Sequence, residues 1–210
     1  MYTDETNKQI IEKIETELSE TDTNKGCPLC SIIMDYEYDL LCEIQYEITN
    51  EKSSRDQIAG EGGFCDFHFR QFKKIASGKT NVLFLKTIVD TGTYKKENFT
   101  INCRLCKSVD KYEEQLLKIF AEYLSTENSR LKFESSNGIC FVHLRMLDKY
   151  IEDKKISEWL RQTHIHQIER MQPDFDFMNN INSFYEMDSE QRRLINILIE
   201  KLAGRKTRSL

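Results

Sequence analysis

Cys27-Pro28-Leu29-Cys30, Cys65-Asp66-Phe67-His68, Cys103-Arg104-Leu105-Cys106 and Cys140-Phe141-Val142-His143 are four short stretches of closely related design. A C-x-x-C followed by a C-x-x-H supplies three thiols and one imidazole, the donor set of a structural Cys3His zinc site. Two donors separated by two residues turn inward from a tight loop or from the first turn of a helix. At a helix N-terminus the unsatisfied amides and the positive end of the macrodipole favour thiolate over thiol. Between Cys30 and Cys65 lie 34 residues and between Cys106 and Cys140 lie 33, far more than a compact zinc finger encloses. Each site is therefore expected to close a helical hairpin. Taken in chain order, Cys27, Cys30, Cys65 and His68 form the first site, and Cys103, Cys106, Cys140 and His143 the second.

The residues around these ligands recur with them. An offset of 76 places Cys27 on Cys103, Cys30 on Cys106, Tyr36 on Tyr112, Glu37 on Glu113 and Leu40-Leu41 on Leu116-Leu117. An offset of 75 places Gly63 on Gly138, Cys65 on Cys140, His68 on His143 and Arg70 on Arg145. One deleted residue in the intervening loop accounts for the difference, and the chain reads as an internal duplication.

Hydrophobic periodicity predicts helices throughout. Ile10, Ile14 and Leu18 mark one over about 4–20, and Cys27-Pro28 opens a second that runs to about Ile48, with proline accepted in its first turn. The polar stretch 50–63, ending in Gly60-Glu61-Gly62-Gly63, reads as a loop. A third helix follows from Phe64, and a fourth over about 81–94 carries Val82, Leu85, Ile88 and Val89. Beyond Tyr150, Ile156, Leu160, His164, Ile168 and Met171 keep a helical spacing that Pro173 is expected to kink. Phe175 to Tyr185 reads as a packed aromatic loop. A last helix over about 188–203 is expected to point Leu194, Ile195, Leu198 and Leu202 inward and to stop at Gly204. The expected fold class is all-α: a helical metal-binding module over 1–98, a second over 99–155, and a C-terminal helical extension over 156–210.

The chain of 210 residues carries 39% hydrophobic and 31% charged residues with two prolines, the profile of an ordered helical protein. A net charge of -5 argues against a surface shaped throughout for nucleic acid, though not against a local basic patch. No apolar run is long enough for a membrane span, and the acidic start Met1-Tyr2-Thr3-Asp4-Glu5 is unlike a secretory leader, so a cytoplasmic protein is expected. In a reducing compartment, seven cysteines at these spacings read as metal ligands rather than disulfides. Cys42 has no repeat counterpart and reads as a small buried hydrophobe. Tyr36 and Tyr112 read as core residues. Arg70 and Arg145 are either neighbours that steady the thiolates or solvated helix residues. His164 lies on an apolar stripe and reads as a satisfied core histidine, with His166 pointing elsewhere. Glu113-Glu114 reads as a solvated face, and Arg205, Lys206 and Arg208 as a frayed basic tail.

The motifs Cys27-Pro28-Leu29-Cys30, Gly63-Phe64-Cys65 with His68, Cys103 with Cys106, and Gly138-Ile139-Cys140 with His143 resemble those of a family of uncharacterised prokaryotic proteins, a domain of unknown function. The resemblance covers most of the chain, departs at Ile139 where the pattern prefers phenylalanine, and implies paired metal sites without implying an activity. No phosphate-binding loop, dinucleotide fingerprint, nucleophile elbow or H-E-x-x-H motif occurs. Two structural zinc ions per chain, with function resting on a surface that binds another protein or a nucleic acid, is the leading expectation. An iron–sulfur redox or sensing protein using the same ligands is the second, and an enzyme with a pocket between the modules is the third.

Overall fold

The computed structural model describes residues 4–19, 26–95, 97, 100–172, 176 and 187–204. Thr3, the Pro173 kink, the aromatic loop from Phe175 to Tyr185 apart from Asp176, and the tail residues Arg205, Lys206 and Arg208 lie outside the described residues. Among those described there are ten α-helices, one short 3-10 turn and no strand, which bears out the all-α class. The helices are α1 (Asp4–Ser19), α2 (Pro28–Asn50), α3 (Lys52–Gly60), α4 (Asp66–Ile75), α5 (Gly78–Thr91), α6 (Arg104–Tyr123), α7 (Glu127–Ser135), α8 (Phe141–Leu147), α9 (Lys154–Glu169) and α10 (Ser189–Ala203). No helix among the described residues is long and apolar enough to cross a membrane.

Local chemistry sets most helix ends. Ser77 and Thr126 cap α5 and α7 by accepting from the amides three residues on, and Asp188 with Gln191 forms a reciprocal capping box at α10. Helix α3 replaces the loop expected at 50–63. Its sequence is polar, and only Ile58 and Ala59 are buried, so it lacks the apolar stripe that announces a helix.

The described chain divides into two compact units that do not follow chain order. One is drawn from residues 1–32 and 114–206, the other from 33–113, so α2 and α6 each contribute to both. The core of the second unit is built on Phe64, Phe72 and Phe84, whose ring centroids lie 5.2 to 5.5 Å apart. Leu41, Ile44, Ile48, Ile58 and Leu105 surround them. Here α5 turns an unexpected face inward: Thr80 and Phe84 are buried, while Val82, Leu85 and Val89 are exposed. Tyr36 of α2 stacks on Tyr112 of α6 with centroids 3.9 Å apart and planes within 7°, a packing role for both.

In the first unit Ile10, Ile14 and Leu18 of α1 are buried as their spacing predicts. Phe120 meets Phe133 edge-on at 5.9 Å, and Phe133 meets Trp159 likewise. Helix α10 packs on α8. Its inward face carries Ile197, Leu198 and Lys201, whereas the expected Leu202 is exposed.

Candidate metal centres

The four motifs share one local geometry. Cys65 and Cys140 are the N-cap residues of α4 and α8, in extended conformation at φ -63° and -77°, so His68 and His143 fall at the third helical position. Cys27 and Cys103 immediately precede α2 and α6, which puts Cys30 and Cys106 at the same third position. An N-cap side chain leans over the first turn towards the third residue, so both donors of each motif face one point. This is the physical content of the two-residue spacing. The glycine two places before each C-x-x-H cysteine has a left-handed backbone, Gly63 at φ 78° and Gly138 at φ 69°. Only glycine turns the chain this way at low cost. A side chain at Gly138 would also collide with the Gln167 carboxamide.

The structure gathers these half-sites into two Cys3His groups, but not in chain order. Cys27 and Cys30 join Cys140 and His143 (site I), and Cys65 and His68 join Cys103 and Cys106 (site II). The pairing expected from sequence, Cys27 and Cys30 with Cys65 and His68, and Cys103 and Cys106 with Cys140 and His143, is thereby corrected. The four half-sites carry interchangeable chemistry, so any cross-pairing of a C-x-x-C with a C-x-x-H completes a Cys3His set. Tertiary packing makes the choice, and each site lies within one compact unit.

Within each group all donor atoms lie within 4.8 Å of one another. In site I, His143 Nδ1 stands 3.3 Å from Cys27 Sγ, 3.5 Å from Cys30 Sγ and 3.3 Å from Cys140 Sγ, and Cys30 and Cys140 sulfurs are 3.9 Å apart. In site II, His68 Nδ1 stands 3.2 Å from Cys65 Sγ, 3.4 Å from Cys103 Sγ and 3.3 Å from Cys106 Sγ, with 3.6 Å between Cys65 and Cys106 sulfurs. A tetrahedral ion with metal–sulfur bonds of about 2.3 Å and metal–nitrogen bonds of about 2.0 Å requires edges of about 3.8 and 3.5 Å. Both groups match that cage and can hold a metal ion.

The surroundings differ. All four site I ligands are buried, whereas Cys65 and Cys106 of site II are half-buried. In site II, His68 Nε2 lies 2.7 Å from Glu37 Oε1, which fixes the tautomer that leaves Nδ1 for a metal. Arg104 pairs with Glu61 at 3.0 Å, and the Asn102 amide donates to the Glu61 carbonyl, so the strand of chain entering Cys103 is tied to the turn entering Cys65.

Proton affinities record the crowding of thiols. In site I, burial raises Cys27, but hydrogen bonds from Cys140 and Cys30 and the charge of His143 hold it well below its ordinary value. Cys30 is pushed far up by its bonds to Cys140 and Cys27 and by burial. In site II, burial alone would raise Cys103, yet the His68 bond and nearby backbone amides bring it to about 6. Burial would lower His68, but bonds to Cys103 and Glu37 carry it to about 10. Cys106 is pushed up by burial and by the Cys103 charge. A metal-free cage thus keeps protons on some thiols, and a divalent ion bound there would displace them.

Other expectations resolve as follows. Arg70 and Arg145 are exposed, Arg70 pairing with Asp66, and neither steadies a thiolate. Cys42 is half-buried rather than buried. His166 is exposed beside Glu169. His164 is buried, its ring edge-on to Phe141 at 4.8 Å, but neither ring nitrogen has a hydrogen-bond partner among the described residues, so there it is not the satisfied core histidine expected. Glu37 and Lys201 were not singled out from sequence. The repeat alignment of Glu37 with Glu113 was the signal for the first, and the continuation of the stripe Leu194, Leu198 to position 201 the signal for the second.

No protein-family model, curated protein or solved structure matches the chain. That outcome is in keeping with a chain whose motifs resemble those of uncharacterised proteins.

Proposed function

We propose that this chain is a zinc-binding helical protein in which both Cys3His groups hold structural ions, and that it acts through its surface as a protein-interaction or regulatory module. The observation that carries the zinc reading is the size and closure of the cages. Four donors within 4.8 Å of one another suit a single ion, and four protein ligands leave no open position for a substrate or an activated water. An iron–sulfur cluster would set irons and sulfides between its cysteines and hold thiolates on different irons farther apart. A reducing compartment such as the cytoplasm suits thiolate ligation. The repeated motifs support descent from a duplicated unit whose half-sites exchanged partners. Support for an interaction surface comes from α5, where Val82, Leu85 and Val89 form an exposed apolar stripe at helical spacing.

Metal analysis with an absorption spectrum on anaerobically purified protein tests the metal reading. Two zinc per chain without a visible band is expected, and iron with matching sulfide overturns it. Leu85→Glu tests the surface: co-purification with a protein partner is lost while zinc content stays at two. A variant that keeps its partner removes the α5 stripe from the reading.

A further inference from the structure

The last turn of α10 buries a cation beside the fully enclosed site. Lys201 is 1% exposed, and its ammonium donates to the backbone carbonyls of Asn137 and Gly138, which lead through Ile139 into the ligand Cys140. Three residues on, Gly204 approaches Cys140 so closely that an added Cβ would stand 3.3 Å from the sulfur. No carboxylate pairs with Lys201 among the described residues. Two neutral carbonyls satisfy its hydrogen bonds but do not offset its charge, and a buried charge is stable only when something does. Neither ionisable neighbour supplies the countercharge: His164 can only be neutral or cationic, with burial and the Lys201 charge lowering its proton affinity, and Arg170 is itself a cation.

The missing countercharge is the metal site. Three thiolates, one neutral imidazole and a divalent ion sum to one surplus negative charge, and in site I the ligands are buried, so little solvent screens it. We propose that Lys201 is a positioning residue that balances this charge, so that its ammonium strengthens ion retention by Cys27, Cys30, Cys140 and His143 and ties α10 to the loaded site. The inference rests on the metal reading above. Burial and the charge of Arg170 bring Lys201 down to about 8, while the charges of Cys27, Cys140 and Cys30 act in the opposite sense. Among the described residues site II carries no counterpart: Glu37 lies behind His68, Arg104 is engaged by Glu61, and the half-buried Cys65 and Cys106 leave screening to water.

The full chain loaded with cadmium-113 provides the test, since each site gives its own resonance and Cys65→Ser assigns that of site II. Lys201→Gln keeps an amide donor for the carbonyls but removes the charge. It is expected to surrender the site I ion at about tenfold lower chelator concentration, the lower end of the effect of residues that support metal ligands, with site II unchanged. Lys201→Arg keeps the charge and is expected to hold both ions as wild type does. Gln167→Leu, which removes a neutral hydrogen bond to the Phe133 carbonyl ahead of the same loop, is expected to hold both as well. Loss from both sites or from neither in Lys201→Gln, loss in Lys201→Arg, or equal loss in Gln167→Leu overturns the charge assignment. A wild-type chain that binds no cadmium overturns the metal reading instead.

Discussion

Site I and site II set the same four donors at the same helix positions, yet one is sealed and the other reaches solvent. Site I is wholly buried with Lys201 alongside, while site II presents two half-buried sulfurs and leans its histidine on Glu37. The donor set determines that a metal fits. What surrounds it determines how hard the metal is to remove and which neighbours matter.

The strongest way to break the comparison is to challenge the crossed pairing itself. Cys27→Ser with Cys140→Ser removes two ligands from one cage, so one zinc should remain, measured by metal analysis. Cys27→Ser with Cys65→Ser removes one from each, and zinc should fall towards none. In-order pairing predicts the reverse. Because a structural zinc contributes about 10 to 16 kcal/mol of apparent binding free energy, comparable with the whole stability of a domain at about 5 to 15 kcal/mol, the second pair should also lose cooperative melting.

Chelator kinetics sharpen the contrast in exposure. Zinc release followed with a colorimetric chelator should be biphasic, site II emptying first. The fast phase should vanish in Cys65→Ser and the slow phase in Cys140→Ser. A single phase would make the two environments equivalent.

Next in size is Glu37→Gln, which weakens the acceptor behind His68. Affinity at site II should fall about 10- to 100-fold while site I is unmoved, as competition titration would show. Smaller still is the Tyr36–Tyr112 stack, for which a double-mutant cycle in urea should give a coupling of about 0.5 to 1.5 kcal/mol. Arg70→Ala, which breaks only an exposed ion pair, should change stability by less than about 1 kcal/mol and leave zinc content at two.

Most of the helices and the eight residues of the two Cys3His groups were legible in the sequence, because apolar spacing and motif spacing are both local signals. The pairing was not. Two C-x-x-C and two C-x-x-H half-sites of identical chemistry can pair in two ways, and the deciding contacts lie more than 100 residues apart in site I. Helix α5 shows a second limit: Val82, Leu85 and Val89 and the alternative Thr80 and Phe84 are both periodic, so spacing cannot say which face a core will take. Helix α3 has almost no stripe to detect. Lys201 is not legible in the sequence, because a lysine in a last turn ordinarily belongs to solvent and its burial depends on carbonyls 63 and 64 positions away.

The crossed ligation also sets synthesis against assembly. Site II closes over 35 positions between His68 and Cys103, whereas site I must span 110 between Cys30 and Cys140. The longer closure costs only about 1 kcal/mol more in chain entropy, but it is late. At roughly 5 to 20 residues per second, some 5 to 20 s separate the emergence of Cys30 from that of Cys140. In that interval the first C-x-x-H to leave the ribosome is Cys65 with His68, a chemically complete but wrong mate for Cys27 and Cys30. On the proposed metal reading, a nascent chain that met metal early would be offered that cage first and would have to exchange ligands to reach the crossed pairing, so the timing of metal delivery would govern the yield of correctly ligated protein.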